Sequence, residues 1–499
     1  MTKNKQKKLP RGVSLIEILL AIVIISLGIT GATTIAMGSQ ESIRDAGLSQ
    51  AALYKVDEGL EKTFASLKGD WSSLAASAIL SDGIYDKEVT VTDISECMKQ
   101  VESRADWDVP QRSQDASLIT LFTSVEEAKK LGGDCNTTPP GLWGNPDFYN
   151  NPEVIHPGSI ANDLDALKNN KGTFVLIAST KDGTHDTFWV VDVSDPDNPV
   201  TVAQYDNDDD LYAIDAYSVG DITYAFTATA SSTAQLQVME VDFSSYPGSG
   251  PTITRIATEQ LPGVGNSYPQ GRSIYYFDGR AYVGTYETSG PELHVYDVSN
   301  PSTPIHLGAV ELNTNVEGMV VRSTYAYLAT SDNDSELCII DVSDPSSMSD
   351  CEDVTGMQFN TAGNQDGTAI EVLGNRVYLG RERVSSGNDF YVFDVSDPVN
   401  VSALGSINLS LNPNTEVTGI KVSGNLAFLV TSDQNYSGGG GPFLVYDISD
   451  PSNISLVSTC AKNFSEKSTG IDYLDETVFV SNESNDALRI MFPSPTCSL

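Results

Sequence analysis

The chain has 499 residues, enough for more than one domain, and its 67 acidic residues against 29 basic ones give a formal net charge of −38 at pH 7. This charge argues against binding to nucleic acid or to anionic lipid surfaces, because both are themselves anionic. The six cysteines are an even number, which is typical of a disulfide-bonded protein in an oxidising compartment, and fifteen pairings are open.

A short basic stretch opens the chain, ends at Gly12 and is followed by a long apolar segment. Residues 13–37 are 25 in number and, as a helix, can cross a bilayer core of about 30 Å. The basic residues favour the cytoplasmic side for this end. Glu17 stands out, because a carboxylate in a membrane helix is costly and usually functional. A secretory signal would carry its cleavage site after the apolar segment, not before it.

The sequence Arg11-Gly12-Val13-Ser14-Leu15-Ile16-Glu17, with the apolar segment behind it, resembles a type IV prepilin leader. The resemblance implies that residues 1–12 are removed by a prepilin peptidase, which cleaves after Gly12 and methylates the new amino terminus at Val13, where most members have Phe. It also implies that Glu17 pairs with the amino group of a neighbouring subunit as the filament assembles. The mature chain then carries 24 basic and 67 acidic residues, a net charge of −43.

Residues 38–135 show first a helical and then a strand pattern. Apolar residues spaced by three and four over residues 40–68 predict an amphipathic helix that continues the apolar one; they are Ile43, Ala46, Leu48, Leu53, Val56, Leu60, Phe64 and Leu67. Alternation in residues 88–92, 97–109 and 117–122 predicts three antiparallel strands on that helix. The stretch resembles minor pilins called pilus modification proteins, which implies an α+β pilin module with a long N-terminal helix and a small antiparallel sheet.

Residues 136–158 are rich in Asn, Pro and Gly and are interpreted as a linker, whereas residues 159–499 contain a repeat. Its copies are Asp192-Val193-Ser194-Asp195-Pro196, Asp297-Val298-Ser299-Asn300-Pro301, Asp341-Val342-Ser343-Asp344-Pro345, Asp394-Val395-Ser396-Asp397-Pro398, Asp447-Ile448-Ser449-Asp450-Pro451 and the degenerate Asp242-Phe243-Ser244. Each follows an apolar strand, and four short strands per roughly 50 residues are typical of a β-propeller blade. The copies resemble the bacterial propeller repeat named for its Leu-Val-Ile-Val-Asp strand.

The number of repeats predicts an all-β, seven-bladed propeller. Six full blades are followed by a remnant with three strands, which needs a fourth strand from elsewhere to close the ring and remove the sheet edges. Residues 152–158 resemble the outer-strand segment at 304–308, so we expect the segment before the first blade to supply that strand.

The recurring Asp is interpreted as a cap for the turn between the third and fourth strands, with Asp-Pro setting the turn backbone, rather than as a catalytic or metal-binding residue. The cysteines suggest three pairs. Cys338 and Cys351 lie symmetrically about one Asp-Pro turn and are expected to face each other directly across that hairpin. Cys97 and Cys135 bracket the predicted strands, and Cys460 with Cys497 is the pair left over.

Strand alternation sorts the propeller loops onto two faces. The longer, irregular loops lie opposite the Asp-Pro turns, so we expect a ligand face there; they are residues 181–186, 207–210, 262–270, 332–336, 360–366 and 433–441. Two acidic loops are weak candidates for Ca²⁺, since neither has a full twelve-residue calcium-loop pattern; their residues are Asp206, Asp208, Asp210, Asp332, Asp334 and Glu336. No other cofactor is expected.

Nothing in the sequence indicates an enzyme. His156, His185, His294 and His306 show no ligand spacing, and there is no nucleophile elbow or phosphate loop. We expect a filament subunit that sits in the inner membrane before assembly and then displays the propeller on an extracellular pilus, or fimbrium, for adhesion. Expected partners are prepilin peptidase, other pilin subunits and a surface glycan or protein, with no nucleic acid. The alternatives are a type II secretion pseudopilin and a pilin-anchored surface enzyme.

Overall fold

The computed structural model describes residues 45, 47–68, 71, 80–95, 98–109, 112–124, 142–149, 160–181, 186–264, 270–383, 387–433, 442–458, 464, 466–483 and 487–494. The chain divides into two compact units, Met1–Ser124 and Val125–Leu499. The predicted membrane segment at 13–37 lies outside the described residues. Among the residues that are described, no helix has the length and apolar character needed to cross a membrane.

The first unit contains a helix and one sheet. Helix α1 covers residues 47–68, and the antiparallel sheet has the order β1 (Leu80–Asp82), β2 (Tyr85–Ser95), β3 (Met98–Val109), β4 (Arg112–Thr123). The sequence predicted three of these strands and missed the three-residue β1. Every second residue of β3 is buried, including Val101, Ala105 and Trp107, which is the face expected from the sequence.

The helix buries a narrower stripe than its apolar pattern indicated. Ala52 and Val56 are fully buried and join the core with Trp107, whereas Leu53 and Phe64 are about half exposed. A four-stranded sheet covers one stripe of a helix, so apolar residues beside that stripe stay at the surface. Leu53 and Phe64 belong to the predicted apolar pattern but lie beside the buried stripe.

The second unit consists of four-stranded antiparallel sheets, seven among the described residues, which we number as blades 1 to 7. Their strands are β5 (Pro146–Phe148), in blade 7; β6 (Ala161–Asn169), β7 (Gly172–Ser179), β8 (Phe188–Asp192) and β9 (Val200–Tyr205), blade 1; β10 (Leu211–Val219), β11 (Ile222–Thr229), β12 (Leu236–Asp242) and β13 (Thr252–Glu259), blade 2; β14 (Gly271–Phe277), β15 (Arg280–Thr285), β16 (Leu293–Asp297) and β17 (Ile305–Val310), blade 3; β18 (Val316–Arg322), β19 (Tyr325–Thr330), β20 (Leu337–Asp341) and β21 (Gln358–Phe359), blade 4; β22 (Gly367–Leu373), β23 (Arg376–Arg381), β24 (Phe390–Asp394) and β25 (Ser402–Ile407), blade 5; β26 (Val417–Ser423), β27 (Leu426–Thr431), β28 (Phe443–Asp447) and β29 (Ser455–Leu456), blade 6; and β30 (Ser468–Leu474), β31 (Thr477–Asn482) and β32 (Leu488–Pro493), which complete blade 7.

The first strands of the blades form a ring. Each contacts the first strand of the next blade, and β30 contacts β6 to complete the circle. All seven carry a bulge near their beginning, where the register with the second strand shifts by one residue. The fourth strand of blade 7 is β5, which pairs with β32. The closing strand therefore comes from before the first blade, as predicted, but from residues 146–148; residues 152–158, which were expected to supply it, lie outside the described residues.

The repeated motif makes its turn through side-chain hydrogen bonds. In six blades the Asp that ends the third strand accepts a hydrogen bond from the backbone N–H two residues later, at 2.8–2.9 Å, as Asp192 does from Ser194. The following Asp-Pro turn packs on the previous blade: a Cβ at Gly405 would lie 1.6 Å from the carbonyl oxygen of Pro451. Glycine is therefore required there, and the motif acids act in turn structure.

Cys338 and Cys351 form a disulfide, with their Cα atoms 5.6 Å apart. The expectation that they pair directly across the hairpin is wrong, because Cys338 on β20 faces Gln358. The connection in blade 4 contains two short 3₁₀ helices, Pro345–Ser347 and Cys351–Asp353, so the fourth strand starts later than the hairpin symmetry implied. The disulfide therefore links a strand to a connecting segment.

Candidate functional site

A cavity of about 620 Å³ runs along the propeller axis and is lined by the first strands of all seven blades. Ten carboxylates and three cations line it: Asp163, Asp165, Asp215, Glu317, Asp366, Glu371, Glu382, Glu416, Asp472 and Glu483, with Arg272, Lys421 and Lys467. Because the strands of a blade alternate in direction, the first strands begin on the face of the irregular loops. The channel therefore opens among those loops, and its net charge is negative.

Lys421 is the cation in the interior of this channel. Its Nζ lies 3.2 Å from Oδ1 of Asp472 and 3.6 Å from Oε2 of Glu371. The two carboxylates are more deeply buried than the lysine, at 14% and 18% side-chain exposure against 36%. Burial lowers the pKa of Lys421, but the surrounding carboxylates, Asp472 and Glu371 first, outweigh it and raise the pKa above its usual value. Lys421 therefore stays charged and offsets part of the negative charge.

Neighbouring aspartates join adjacent blades by accepting backbone hydrogen bonds. Asp472 of blade 7 accepts from Ala166 of blade 1 at 2.8 Å. Asp165 accepts from Ala216 of blade 2 at 2.7 Å, and Asp215 accepts from Tyr276 of blade 3 at 2.6 Å. These bonds run across three consecutive blade junctions. The carboxylates therefore have a structural role at the junctions between blades.

Burial raises the pKa of the channel aspartates. The pKa of Asp163 rises to about 6, although hydrogen bonds from the N–H groups of Ile214 and Leu164 oppose the shift. That of Asp215 rises to about 7, again chiefly through burial. Asp165 shifts in the same direction because of burial and the charge of Asp215. The channel thus takes up protons as the pH falls from neutral.

A second group of charges lies at the channel mouth. Arg272 donates from Nε to Glu317 at 2.8 Å. Asp366, Glu382 and Glu416 come from neighbouring blades, and Glu382 and Glu416 form an isolated backbone bridge. Burial, then the charges of Glu382 and Glu317, raise the pKa of Asp366 to about 6. The mouth therefore presents crowded carboxylates to anything that approaches the loop face.

The carboxylates of the first calcium candidate, Asp206, Asp208 and Asp210, interact with Lys181. The Nζ of Lys181 lies 3.1 Å from Asp206 and 3.3 Å from Asp208, and the Lys181 N–H donates to Asp210. Asp206 also accepts from the N–H of Asp208 at 3.0 Å. In this arrangement the three carboxylates serve the loop and Lys181, and they are not gathered as a ligand set.

The second calcium candidate has residues both at an exposed loop tip and in the protein interior. Asp332 accepts from the N–H of Asp334 at 2.6 Å at the exposed loop tip. Glu336, by contrast, is fully buried and pairs with Arg381 at 3.3 Å. The expectation that Glu336 joins Asp332 and Asp334 is therefore wrong, because its side chain is drawn into the interior.

Glu336 belongs to a recurring interblade contact that sequence reasoning missed. In four blades the residue just before the third strand accepts a hydrogen bond, at 2.8–3.1 Å, from a backbone N–H of the loop that leads to the next blade; these residues are Gln235, Glu292, Glu336 and Asp389. In these four blades, the polar residue immediately before the apolar third strand was the available signal. The contact fixes loops on the face of the propeller opposite the Asp-Pro turns.

Seven of the remaining predicted site residues lie outside the described residues: Gly12, Val13, Glu17, Cys97, Cys135, Cys460 and Cys497.

Potential metal ligands come together in one compact group within the described part of the chain. The group consists of Cys338, Asp350 and Cys351, and its two cysteines are joined in the disulfide. His294 is buried and contacts His306 and the carbonyl of Pro291, and burial lowers its pKa to about 4.

The channel charges also escaped the sequence analysis. In five of the first strands a charged residue stands between apolar ones, as Lys421 does between Ile420 and Val422. In four of these blades the signal lay 23–27 residues before the Asp-containing motif, on a strand whose sequence is less regular than the motif. Aligning the repeats on their first strands would have revealed it.

These features define a chain in which a pilin-type N-terminus is followed by a β-propeller. The chain carries the prokaryotic N-terminal methylation motif, matched over residues 7–33, and its propeller is built of LVIVD repeats, matched over residues 171–207, 281–311, 315–355 and 416–462. The predicted combination of a type IV pilin N-terminus and this repeat family is confirmed.

Two solved structures illustrate what the chain is similar to. A crystal structure of the mitotic checkpoint complex matches with 12% identity and a TM-score of 0.48, covering 69% of this chain and 93% of that one. The crystal structure of BamB from Moraxella catarrhalis matches with 13% identity and a TM-score of 0.38, covering 69% and 99%. At these values neither carries an argument about this chain. Comparison with curated proteins finds no match.

Proposed function

We propose that this protein is a subunit of a type IV pilus-like filament that displays its propeller at the cell surface for adhesion or recognition. The observation that carries the proposal is the methylation motif at residues 7–33, in which Gly12 precedes Val13 and Glu17 follows four residues later. This motif implies processing by a prepilin peptidase and assembly with other pilins. The subunit is held in the inner membrane before assembly and is extracellular afterwards.

The first unit supports this role. A helix that packs on a small antiparallel sheet, with Ala52, Val56, Ala105 and Trp107 in the core, is the arrangement expected of a pilin head. In the proposal the chain comprises a leader at 1–12, a filament-core helix at 13–37, a pilin head at 38–135, a linker at 136–158 and a seven-bladed propeller at 159–499.

The propeller is the proposed recognition head, with a glycan or protein as ligand and no enzymatic activity. The irregular loops surround the channel mouth, where carboxylates such as Asp366 and Glu416 are crowded. Variable loops on a rigid scaffold are a common place for binding. The negative field there favours a ligand that presents positive charge or many hydrogen-bond donors.

The test is electron microscopy of sheared cell-surface fibres, with mass spectrometry of the same fraction. We expect the protein in the fibres, cleaved after Gly12 and methylated at Val13. The variant Glu17→Ala should be processed normally yet be lost from the fibres, because the partner for the neighbouring amino group is gone. The matched control is Glu61→Gln, an exposed carboxylate on α1, which should assemble like wild type.

Two outcomes would contradict the proposal. One is processed protein that is retained in the envelope and absent from every fibre, which is the result expected of a secretion pseudopilin. The other is turnover of a substrate by the protein at a rate that depends on channel residues, which would make the propeller an enzyme. Beads on every subunit would indicate a major pilin, and rare positions a minor one.

A further inference from the structure

The segment that leads the chain into the propeller contacts three consecutive blades. We call residues 143–149 the incoming segment; it contains β5. Trp143 at its start joins the core between blades 6 and 7, and β5 pairs with β32 of blade 7. Tyr149 at its end packs against the core between blades 7 and 1. One short segment therefore spans the place where the ring is closed.

Trp143, at the start of this segment, is almost completely buried. Its side chain is 1% exposed, whereas that of the preceding Leu142 is 75% exposed. Its ring lies 4.8 Å from that of Phe428 and 6.3 Å from that of Phe443, both on blade 6. The same apolar cluster includes Met491 on β32. Within the described part of the chain after residue 124, Trp143 is thus the first buried residue reached from the pilin side.

The closing strand is short, and the chain enters it at Pro146 after the linker. β5 has three residues, and its first, Pro146, stands opposite Pro493. This pair contributes no hydrogen bond, because it stands at a non-hydrogen-bonded position of the antiparallel ladder, beside the hydrogen bond between Ser494 and Asn145. The N–H of Ser494 donates to the carbonyl of Asn145 at 3.0 Å, and that of Tyr149 donates to Ile490 at 3.0 Å.

Because of the strand polarity, a pulling force transmitted along the chain acts first on the start of β5. β5 and β32 are antiparallel, so the start of β5 lies beside the end of β32. A pull transmitted along the chain towards β5 therefore reaches the hydrogen bond between Ser494 and Asn145 and then the proline pair, before the rest of β5. Hydrogen bonds loaded from one end break one after another, so the backbone pairing alone would open readily.

We infer that Trp143 is a mechanical anchor: it holds the ring closed by transferring tension from the linker to the core between blades 6 and 7 before that tension reaches β5. The inference rests on the proposed function, since only a subunit held in a filament and attached to a ligand is pulled in this way. The anchor residue acts through packing, and its partners are Phe428, Phe443 and Met491.

The first test is native-state hydrogen exchange on the mature full-length chain in detergent. In Trp143→Ala, the amides of β5 and β32 should exchange about a hundredfold faster or more, while those of blades 2 to 4 keep their wild-type rates. The matched control is Phe226→Ala, which empties the core between blades 2 and 3. It should accelerate exchange there and leave β5 unchanged. Trp143→Phe should lie between Trp143→Ala and wild type.

The second test pulls the same full-length chain between tags at its two ends. In Trp143→Ala the propeller, recognised by the long extension it releases, should open at a clearly lower force than in wild type. Phe226→Ala should leave that opening force unchanged. The inference is overturned if both variants lower the force equally, if Trp143→Ala leaves it unchanged, or if its faster exchange spreads evenly over all blades.

These outcomes are independent of the filament. If the protein is absent from fibres but Trp143→Ala lowers the opening force, the anchor stands and the proposed function fails. If the protein is found in fibres and the force is unchanged, the proposed function stands and the anchor fails.

Discussion

Replacing Lys421 by methionine tests whether the channel charges are balanced as described. The direct attraction of its Nζ to Asp472 at 3.2 Å amounts to about 5 kcal/mol at an effective dielectric constant of about 20. Because the lysine side chain is 36% exposed, solvent screening reduces this, and methionine also avoids the cost of desolvating a charge. We therefore expect Lys421→Met to lower the free energy of unfolding by about 2–3 kcal/mol at pH 7.5.

The same substitution should matter less in acid. The folded-state pKa values of about 6 for Asp163 and about 7 for Asp215 exceed their usual value, so the folded protein binds protons more tightly than the unfolded chain. These two groups therefore reduce stability at pH 7.5, and that cost begins to shrink as the pH falls below their folded-state pKa values and vanishes only near the unfolded value of about 4. Once the carboxylates are neutral, Lys421 has less charge to offset, so the loss should shrink at pH 5.5.

The measurement is urea unfolding of the mature chain in detergent at pH 7.5 and 5.5, with the propeller transition fitted separately. Lys168→Met is the matched control, since Lys168 pairs with Asp475 at 2.9 Å but both side chains are more than 60% exposed. The control should cost less than about 0.5 kcal/mol. Lys421→Arg keeps the charge and should cost less than Lys421→Met. The reasoning is refuted if the two methionine variants lose equal stability, or if the loss at Lys421 is independent of pH.

Two further predictions concern blades 4 and 5. Arg381→Met leaves Glu336 as an unpaired buried carboxylate and should lower the free energy of unfolding, measured by thermal unfolding, by about 3–5 kcal/mol. Adding Glu336→Gln to the same chain should restore much of this loss. If the effects of the two substitutions are simply additive, the pairing is contradicted. Reduction of the Cys338–Cys351 disulfide, which spans a sequence separation of 13, should cost about 3 kcal/mol, measured by urea unfolding with and without reductant. The chain with both cysteines changed to serine is the control, and it should be insensitive to reductant.

The features predicted most reliably from the sequence are those whose residues repeat as a motif or alternate along a strand. The buried face of β3 followed directly from period-two alternation, and the turn role of Asp192 and its equivalents followed from the Asp-Val-Ser pattern. Both are local properties, in which neighbouring residues determine the conformation. The type IV pilin motif is similarly local, which is why a few residues around Gly12 sufficed to recognise it.

What the sequence left undetermined depends on contacts between distant segments. Lys421 and Asp472 meet only because the ring brings two first strands together, and Glu336 is buried only because Arg381 of the next blade reaches it. The disulfide between Cys338 and Cys351 was predicted, but the strand partner of Cys338 was misjudged because two 3₁₀ helices lengthen the connection. In each case the missing information was the relative position of separate elements, which no local pattern encodes.

The proline pair at the end of the closing strand also has an evolutionary consequence. Since Pro146 and Pro493 are neighbours, the chain enters and leaves the propeller at adjacent points. A domain with adjacent ends can be inserted into a surface loop or appended to another fold with little disturbance to the host. In the proposed filament, exchange of the propeller at this point would replace the displayed domain and leave the pilin unit unchanged.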